Sequence, residues 1–425
     1  MLQIDYYNRK LMESSIYMNK YRLKVQRYIH ATRGVLVLCI AWAVLHLIRR
    51  DLLRQKIWLV CEKRNEARDN GYHFYKYLKE SHPEINSYYV ITKDAADLHK
   101  VQALGNVIFA DSFKHTLYFL AAVRSISSQA YGAFPFGFNQ KELKIANRMC
   151  NPKQKTIFLQ HGIIKDELSH NAFDYKKTNI DYFVCSATRE YRFVKEQYGY
   201  PDEAIGCVGL CRFDNLHRSA ELKEKIILVM PTWRMWLKRA KDNVLLTQAE
   251  VESFKSSEFF RQYTRLLASS ELLGYLKNYG YKLYFYVHYQ LQDYSELFHE
   301  FSNDLIIIAD RYHYDVQDLL MRAGILVTDY SSVQFDFAYM NKPIVYFQFD
   351  KDRFEGKHYK KGYFKYEEDA FGPCCKDAEV VSRILQDLMH SGGTQPEMYQ
   401  KRIDAFFNIR DNENCKRTFD VISSL

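Results

Sequence analysis

The sequence predicts an α/β protein built from two doubly wound domains in series. Three observations carry this. Short, continuous apolar runs recur along the chain, helix-length segments separate them, and the alternation restarts after a charged stretch near residue 220. Runs that are apolar throughout, rather than alternating, indicate parallel strands covered on both faces. Two such sets in series indicate two sheets, each with helices on both sides.

The first element stands apart from this pattern. Residues 1–56 hold 11 Lys/Arg against 3 Asp/Glu, which is nearly all of the chain's net charge of +9. The body is therefore close to neutral, and no nucleic-acid partner is expected. Within the segment, residues 34–48 are apolar, with Arg33 before them and Arg49-Arg50 after. A bilayer-spanning helix needs ~20 such residues, so this stretch is short. No small-residue cleavage site follows it, against a signal peptide. Basic flanks on both sides favour a membrane-associating helix lying in an anionic leaflet; packing on the protein's own surface is the other fate of such a helix. Nine scattered cysteines, an odd number with no Cys-x-x-Cys pair, point to free thiols in a reducing compartment.

From residue 57 the predicted strands are Ile57–Val60, Tyr88–Thr92, Val107–Ala110, Ser125–Ser128, Thr156–Gln160, Asp181–Ser186 and Ile205–Gly209. A charged linker, Ala220–Lys225, reads as helical. The second set is Ile226–Met230, Tyr281–His288, Leu305–Asp310, Ile325–Thr328 and Pro343–Phe349. Val251–Asn278 reads as helical, and so does the tail from Glu397. The expected domains are therefore 57–222 and 223–425, after the segment 1–56.

Ligands of parallel sheets bind beyond the carboxyl ends of the strands, so the residues after each strand are the candidates. Thr156–Gln160 runs into His161-Gly162-Ile163-Ile164-Lys165. Ile226–Met230 runs into Pro231-Thr232-Trp233-Arg234. The strand from Tyr281 ends in His288, and Ile325–Thr328 is followed by Asp329-Tyr330-Ser331-Ser332. This last strand, polar turn and helix start would aim backbone N–H groups at a phosphate. A Ser N-cap on an ordinary helix explains that segment alone equally well. Gly162 beside His161 would let a ligand approach the backbone. Clusters at four strand ends together suit a diphosphate in a cleft between the domains.

Other site types are missing. There is no Gly-x-Gly-x-x-Gly, no Gly-x-x-x-x-Gly-Lys-Ser/Thr and no Gly-x-Ser-x-Gly. Asp350-Lys351-Asp352 has a metal-ligand spacing, but such three-residue patterns are frequent by chance. No cofactor or metal is assigned.

Taken together, these clusters resemble the CDP-glycerol glycerophosphotransferase family, the teichoic-acid and capsule polymerases with a GT-B-type fold. The likeness lies in Gln160-His161-Gly162 with Lys165, Gly209-x-x-Arg212-x-Asp214, Pro231-Thr232-Trp233-Arg234 and His288. It continues through Thr328-Asp329-Tyr330-Ser331-Ser332 with Asp336, Lys342-Pro343-Ile344, Asp350, and Gly362 to Glu368 with Gly372-Pro373. It covers roughly residues 57–390. Many members carry Trp-His-Gly-Thr-Pro-Leu-Lys where this chain has Gln160 to Lys165, and a Pro where it has Tyr289.

The resemblance implies two Rossmann-like domains facing a cleft, with acceptor on the first and donor on the second. It implies transfer of a polyol phosphate from CDP-glycerol or CDP-ribitol to a lipid-linked acceptor, releasing CMP, at the cytoplasmic face of the membrane. On that basis His161 is the candidate general base. His288 joins it as a catalytic candidate that also neutralises phosphate. Gly162, Lys165, Arg212, Thr232, Arg234, Asp329, Ser331, Ser332 and Asp336 are the candidate substrate-binding residues. A nucleotide-sugar glycosyltransferase and a non-catalytic membrane-bound scaffold are the alternatives.

Overall fold

All twelve predicted runs are strands in the computed structural model, which describes residues 32–137, 142, 144–147, 151–239, 245–357 and 360–425. The described residues through Leu159, with Tyr175–Tyr182, form one compact unit. Its strands are β1 (Trp58–Cys61), β2 (Ser87–Ile91), β3 (Val107–Phe109), β4 (Arg124–Ser127) and β5 (Lys155–Phe158). They lie in the order β3-β2-β1-β4-β5, all parallel, with Trp58 in register with Ser87 on one side and Arg124 on the other. Every residue of β1 is buried, which is why its sequence is apolar without alternation.

Residues 32–47 form a helix. Its Leu38, Ala41 and Leu45, at helical spacing, join the core of this unit together with Leu59, Val90 and Phe119. The opposite face leaves Val35, Leu36, Ile40, Trp42 and Leu47 exposed. No helix among the described residues is long and apolar enough to cross a membrane. The first 31 residues of the expected membrane-associating segment lie outside the described residues.

The second unit comprises Gln160–Asp174 and Phe183–Leu425. Here β6 (Tyr182–Cys185) and β7 (Ile205–Cys207) run parallel from Phe183 opposite Ile205. A six-stranded parallel sheet follows: β8 (Glu224–Val229), β9 (Lys282–Tyr286), β10 (Ile306–Ala309), β11 (Ala323–Thr328), β12 (Ile344–Phe347) and β13 (Cys374–Cys375). Their order is β10-β9-β8-β11-β12-β13. Central β11 is buried at all six positions. The carboxyl ends of β8, β9 and β11 carry three of the predicted clusters.

Two details differ from expectation. Strand β13 was not predicted, because two residues carry no periodicity; its place is set by pairing with Tyr346 and Phe347. The linker Ala220–Lys225 is not helical: the preceding helix ends at Arg218 and β8 begins at Glu224. Too few residues remain between them to nucleate a helix. The predicted helical stretch from Val251 resolves into three helices, Gln248–Lys255, Glu258–Leu267 and Ser270–Tyr279. Each is opened by a hydroxyl N-cap, from Thr247, Ser257 and Ser269.

The tail helix Asn414–Ser424 is latched by Asp214. Its carboxylate accepts Asn414 N at 2.7 Å and Cys415 N at 2.9 Å, satisfying orphan donors of the first turn. Gly209, at φ 90, lies where any Cβ would collide with the Asn414 side chain. The Gly209-x-x-Arg212-x-Asp214 pattern thus has a structural role at both of its ends.

Candidate functional site

The turn after β11 is built around the Asp329 carboxylate. One oxygen, Oδ1, accepts Thr232 N at 2.9 Å, Thr232 Oγ1 at 2.6 Å and Tyr330 N at 2.5 Å. This joins the ends of β8 and β11 inside one hydrogen-bonded knot. The knot fixes the direction in which Ser331 and Ser332 leave the strand. Ser332 occupies the N-cap of Val333–Tyr339, yet its side chain makes no capping bond. The helix has only seven residues, so its dipole is modest and the two hydroxyls are the stronger donors for an anion here.

Arg234 does not reach this surface. It is fully buried and binds Asp350 through two bonds, Nε–Oδ2 at 2.7 Å and Nη2–Oδ1 at 3.1 Å. Its Nη1 donates to the Thr232 carbonyl at 2.6 Å and lies 2.9 Å from Asp329 Oδ2, without hydrogen-bond alignment to that oxygen. Burial would lower the guanidinium pKa, but the Asp329 and Asp350 carboxylates more than offset it and hold it above its ordinary value. The rings of Tyr330 and Phe354, stacked with centroids 3.8 Å apart, close over the group, and Tyr330 OH donates to Asp350. Asp350 is thereby committed to Arg234. No group of three or more His, Cys, Asp or Glu among the described residues could hold a metal ion.

Arg212 is also enclosed. It grips Asp336 through Nε at 2.6 Å and Nη2 at 2.9 Å, with both side chains buried. Asp336 lies in the first turn of the helix that follows Ser332, so this pair braces the Ser turn from behind.

The His161 loop meets the Ser turn directly. A Cβ at Gly162 would come within 3.0 Å of Ser332 Oγ, so only glycine fits without displacing the hydroxyl. Lys165 is buried, ion-paired with Asp166, and its ammonium sits 5.5 Å from the centre of the Tyr366 ring. Gly362 packs on the Lys165 carbonyl so closely that a Cβ there would run into it.

His288 lies two residues beyond the end of β9 and occupies the N-cap of the 3₁₀ stretch Tyr289–Phe301. Its Nδ1 accepts the Gln290 backbone N–H at 3.2 Å. A neutral His288 must therefore carry its proton on Nε2, leaving that nitrogen as a donor. The imidazole is stacked with Trp233 at 6.4 Å and meets the Tyr289 ring at a tilt, 4.4 Å away.

His161, Gly162, Lys165, Thr232, His288, Ser331 and Ser332 line one cavity of about 280 Å³. Arg212, Arg234, Asp329 and Asp336 do not line it; they form the ion pairs described above. Trp233, Tyr289 and Tyr330 line it as well; the sequence offers the segments that contain them but no signal that singles these rings out. A larger hollow of about 550 Å³ includes Lys351, Glu355, Lys361 and Glu367. Its charges are largely paired with one another, which leaves less for a ligand.

The model of the family described as CDP-glycerol:poly(glycerophosphate) glycerophosphotransferase matches residues 42–424. The chain is 33% identical over 376 residues to the minor teichoic acid biosynthesis protein GgaB of Bacillus subtilis (strain 168), covering 88% of itself and 40% of GgaB. It is 29% identical over 278 residues to a teichoic acid poly(glycerol phosphate) polymerase of Bacillus spizizenii, covering 60% of itself and 56% of that protein. The chain thus spans little more than half, or less, of these relatives' lengths. A structure of the wall teichoic acid polymerase TagF soaked with CDPG shares the fold, with a TM-score of 0.63 and 18% identity over 94% of this chain and 98% of that one. A putative UDP-N-acetylglucosamine 2-epimerase from Listeria monocytogenes follows at a TM-score of 0.54 and 13% identity, covering 87% and 96%. With two parallel sheets, the motif residues gathered at one cavity and a family match from residue 42 to the tail helix, the chain belongs to the CDP-glycerol:poly(glycerophosphate) glycerophosphotransferase family.

Proposed function

We propose that this protein transfers a polyol phosphate from CDP-glycerol or CDP-ribitol to a hydroxyl of a lipid-linked acceptor, releasing CMP, in teichoic acid or capsule synthesis. The observation that carries this reading is the convergence of His161, His288, Ser331 and Ser332 on a single cavity. In the reaction, the acceptor oxygen forms a bond to the phosphorus that bears the polyol. The bond from that phosphorus to the bridging oxygen breaks, and CMP leaves with the electron pair. The acceptor proton passes to His161, acting as general base.

Each remaining group has a part set by its bonding. His288 Nε2–H donates to the diphosphate as charge builds on the leaving phosphate. Ser331 and Ser332 hydroxyls donate to phosphate oxygens, and Lys165 adds positive charge. The Thr232 hydroxyl proton is already given to Asp329, so toward a ligand Thr232 can only accept, from a hydroxyl or an amine. Arg212 and Arg234 act through the turns they brace.

The membrane reading joins this one. Val35, Leu36, Ile40, Trp42 and Leu47 form an exposed apolar face between Arg33 and Arg49-Arg50, the composition of a helix lying on an anionic surface. Such a location would hold the cavity beside a lipid-linked acceptor.

The test is nucleotide release by purified protein offered CDP-glycerol, CDP-ribitol or UDP-glucose with a lipid-linked acceptor. CMP from one CDP-polyol is expected. Release of UDP, or of nothing from either CDP-polyol, would contradict the proposal.

A further inference from the structure

The residue before His161 adopts an unusual backbone. Gln160 has φ 62, in the left-handed region that residues with a Cβ seldom occupy, and it is almost wholly buried. Such a conformation persists where the surroundings over-determine it. Two groups do so here. The Gln160 Nε2 amide donates to the Val184 carbonyl at 2.5 Å and to Glu190 Oε1 at 3.1 Å.

Glu190 does more than meet Gln160. The same Oε1 accepts Ile164 N at 2.7 Å, and Oε2 accepts Ser186 N at 2.7 Å. The carboxylate is fully buried; burial pushes it up to about 7, against the pull of the N–H groups it accepts. A glutamate in the first turn of Thr188–Tyr198 that merely capped its own helix would need only the Ser186–Ala187 side of these bonds. The bonds to residues 160 and 164 exceed that need, and they bracket His161 on both sides.

We propose that Glu190 is a positioning residue: with Gln160 it forms a clamp that holds the His161 loop in its strained turn and aims the imidazole into the cavity. This rests on the reading of His161 as general base. Glu190 touches neither the cavity-lining hydroxyls nor His288, so its loss should leave the donor-binding groups in place.

The experiment compares Glu190→Gln with wild type in the full chain, by amide hydrogen exchange and by kinetics. An amide cannot accept on both sides, so exchange over residues 160–166 should quicken while peptides from β8 to β11 stay as they were. Turnover should fall by about 10²-fold, the scale expected for a misplaced catalytic group, with the Kd for CDP-glycerol held within about threefold. A second pair guards against general unfolding: Gln160→Ala should lose more turnover than Gln160→Gly, since only glycine takes φ 62 without strain. Unchanged exchange, unchanged turnover, equal losses in the Ala and Gly variants, or loss of donor affinity in step with turnover would each overturn the clamp. If wild type releases no CMP from either CDP-glycerol or CDP-ribitol, the donor reading fails instead, and the exchange measurement alone decides on Glu190.

Discussion

Arginine at position 234 shows how a residue can belong to a site without touching its contents. Its guanidinium is enclosed, doubly bonded to Asp350 and close to Asp329. Removing it would leave two buried carboxylates, Asp329 and Asp350, without a counter-charge, a change that costs about 3–5 kcal/mol. Arg234→Ala should therefore lower the urea midpoint sharply, and its loss of activity should accompany loss of fold. Ser331→Ala with Ser332→Ala should behave oppositely, since Ser332 caps nothing and the bond that Ser331 Oγ accepts from Val333 N is long, at 3.4 Å. Stability should stay within about 0.5 kcal/mol, while the KM for donor rises. A double Ser variant as unstable as Arg234→Ala would show that the hydroxyls serve the fold. Sequence reasoning could find both sets, because each stands at a strand end, but it could not separate them. The difference is burial, and burial depends on Tyr330, Phe354 and Asp350, which close over Arg234 from elsewhere in the chain.

Strands were the most legible elements, since parallel strands buried on both faces announce themselves as unbroken apolar runs. What stayed hidden lacked such a signal. Two-residue β13 exists only through its pairing with β12, and Glu190 is an ordinary helix glutamate until Gln160 and Ile164 arrive beside it. The helix over 32–47 was legible in composition but not in orientation. It packs Leu38, Ala41 and Leu45 inward and turns Leu36 (61% exposed) and Ile40 (49% exposed) outward. The outward pair gives the element's own prediction. Leu36→Asp with Ile40→Asp should reduce sedimentation with anionic phosphatidylglycerol vesicles several-fold, while the thermal midpoint is little changed. Equal sedimentation of variant and wild type would remove this face from the membrane reading.

At the scale of the whole molecule, buried titrating groups make stability depend on pH in a direction that can be worked out. His115 is enclosed in the first unit, with Nδ1 accepting Asp111 N at 3.0 Å and Nε2 donating to the Ala133 carbonyl at 2.7 Å. Burial pushes its pKa down to about 4, against about 6.5 in an unfolded chain. Between those values the unfolded state binds more protons. The stability is thus present above pH 6.5 and lost as pH falls toward 4, by about 3 kcal/mol. Glu62, pushed up by burial to about 8, works in the opposite sense, its contribution being lost as pH rises from the ordinary carboxyl range toward 8. The His115 effect is therefore read as a difference. His115→Gln, which can keep one acceptor and one donor, should lose less stability than wild type between pH 6.5 and 4 in urea titrations. Identical losses would contradict the assignment.

The most direct measurement is the effect of His161→Ala on turnover and on donor binding in the same preparation. His161 is exposed and lines the cavity. The account predicts that CMP release from a CDP-polyol falls by about 10²–10⁴-fold, the range for loss of a general base, with the Kd for that donor nearly unchanged. CMP release that survives the substitution would show that another group takes the acceptor's proton, and the central assignment would be wrong.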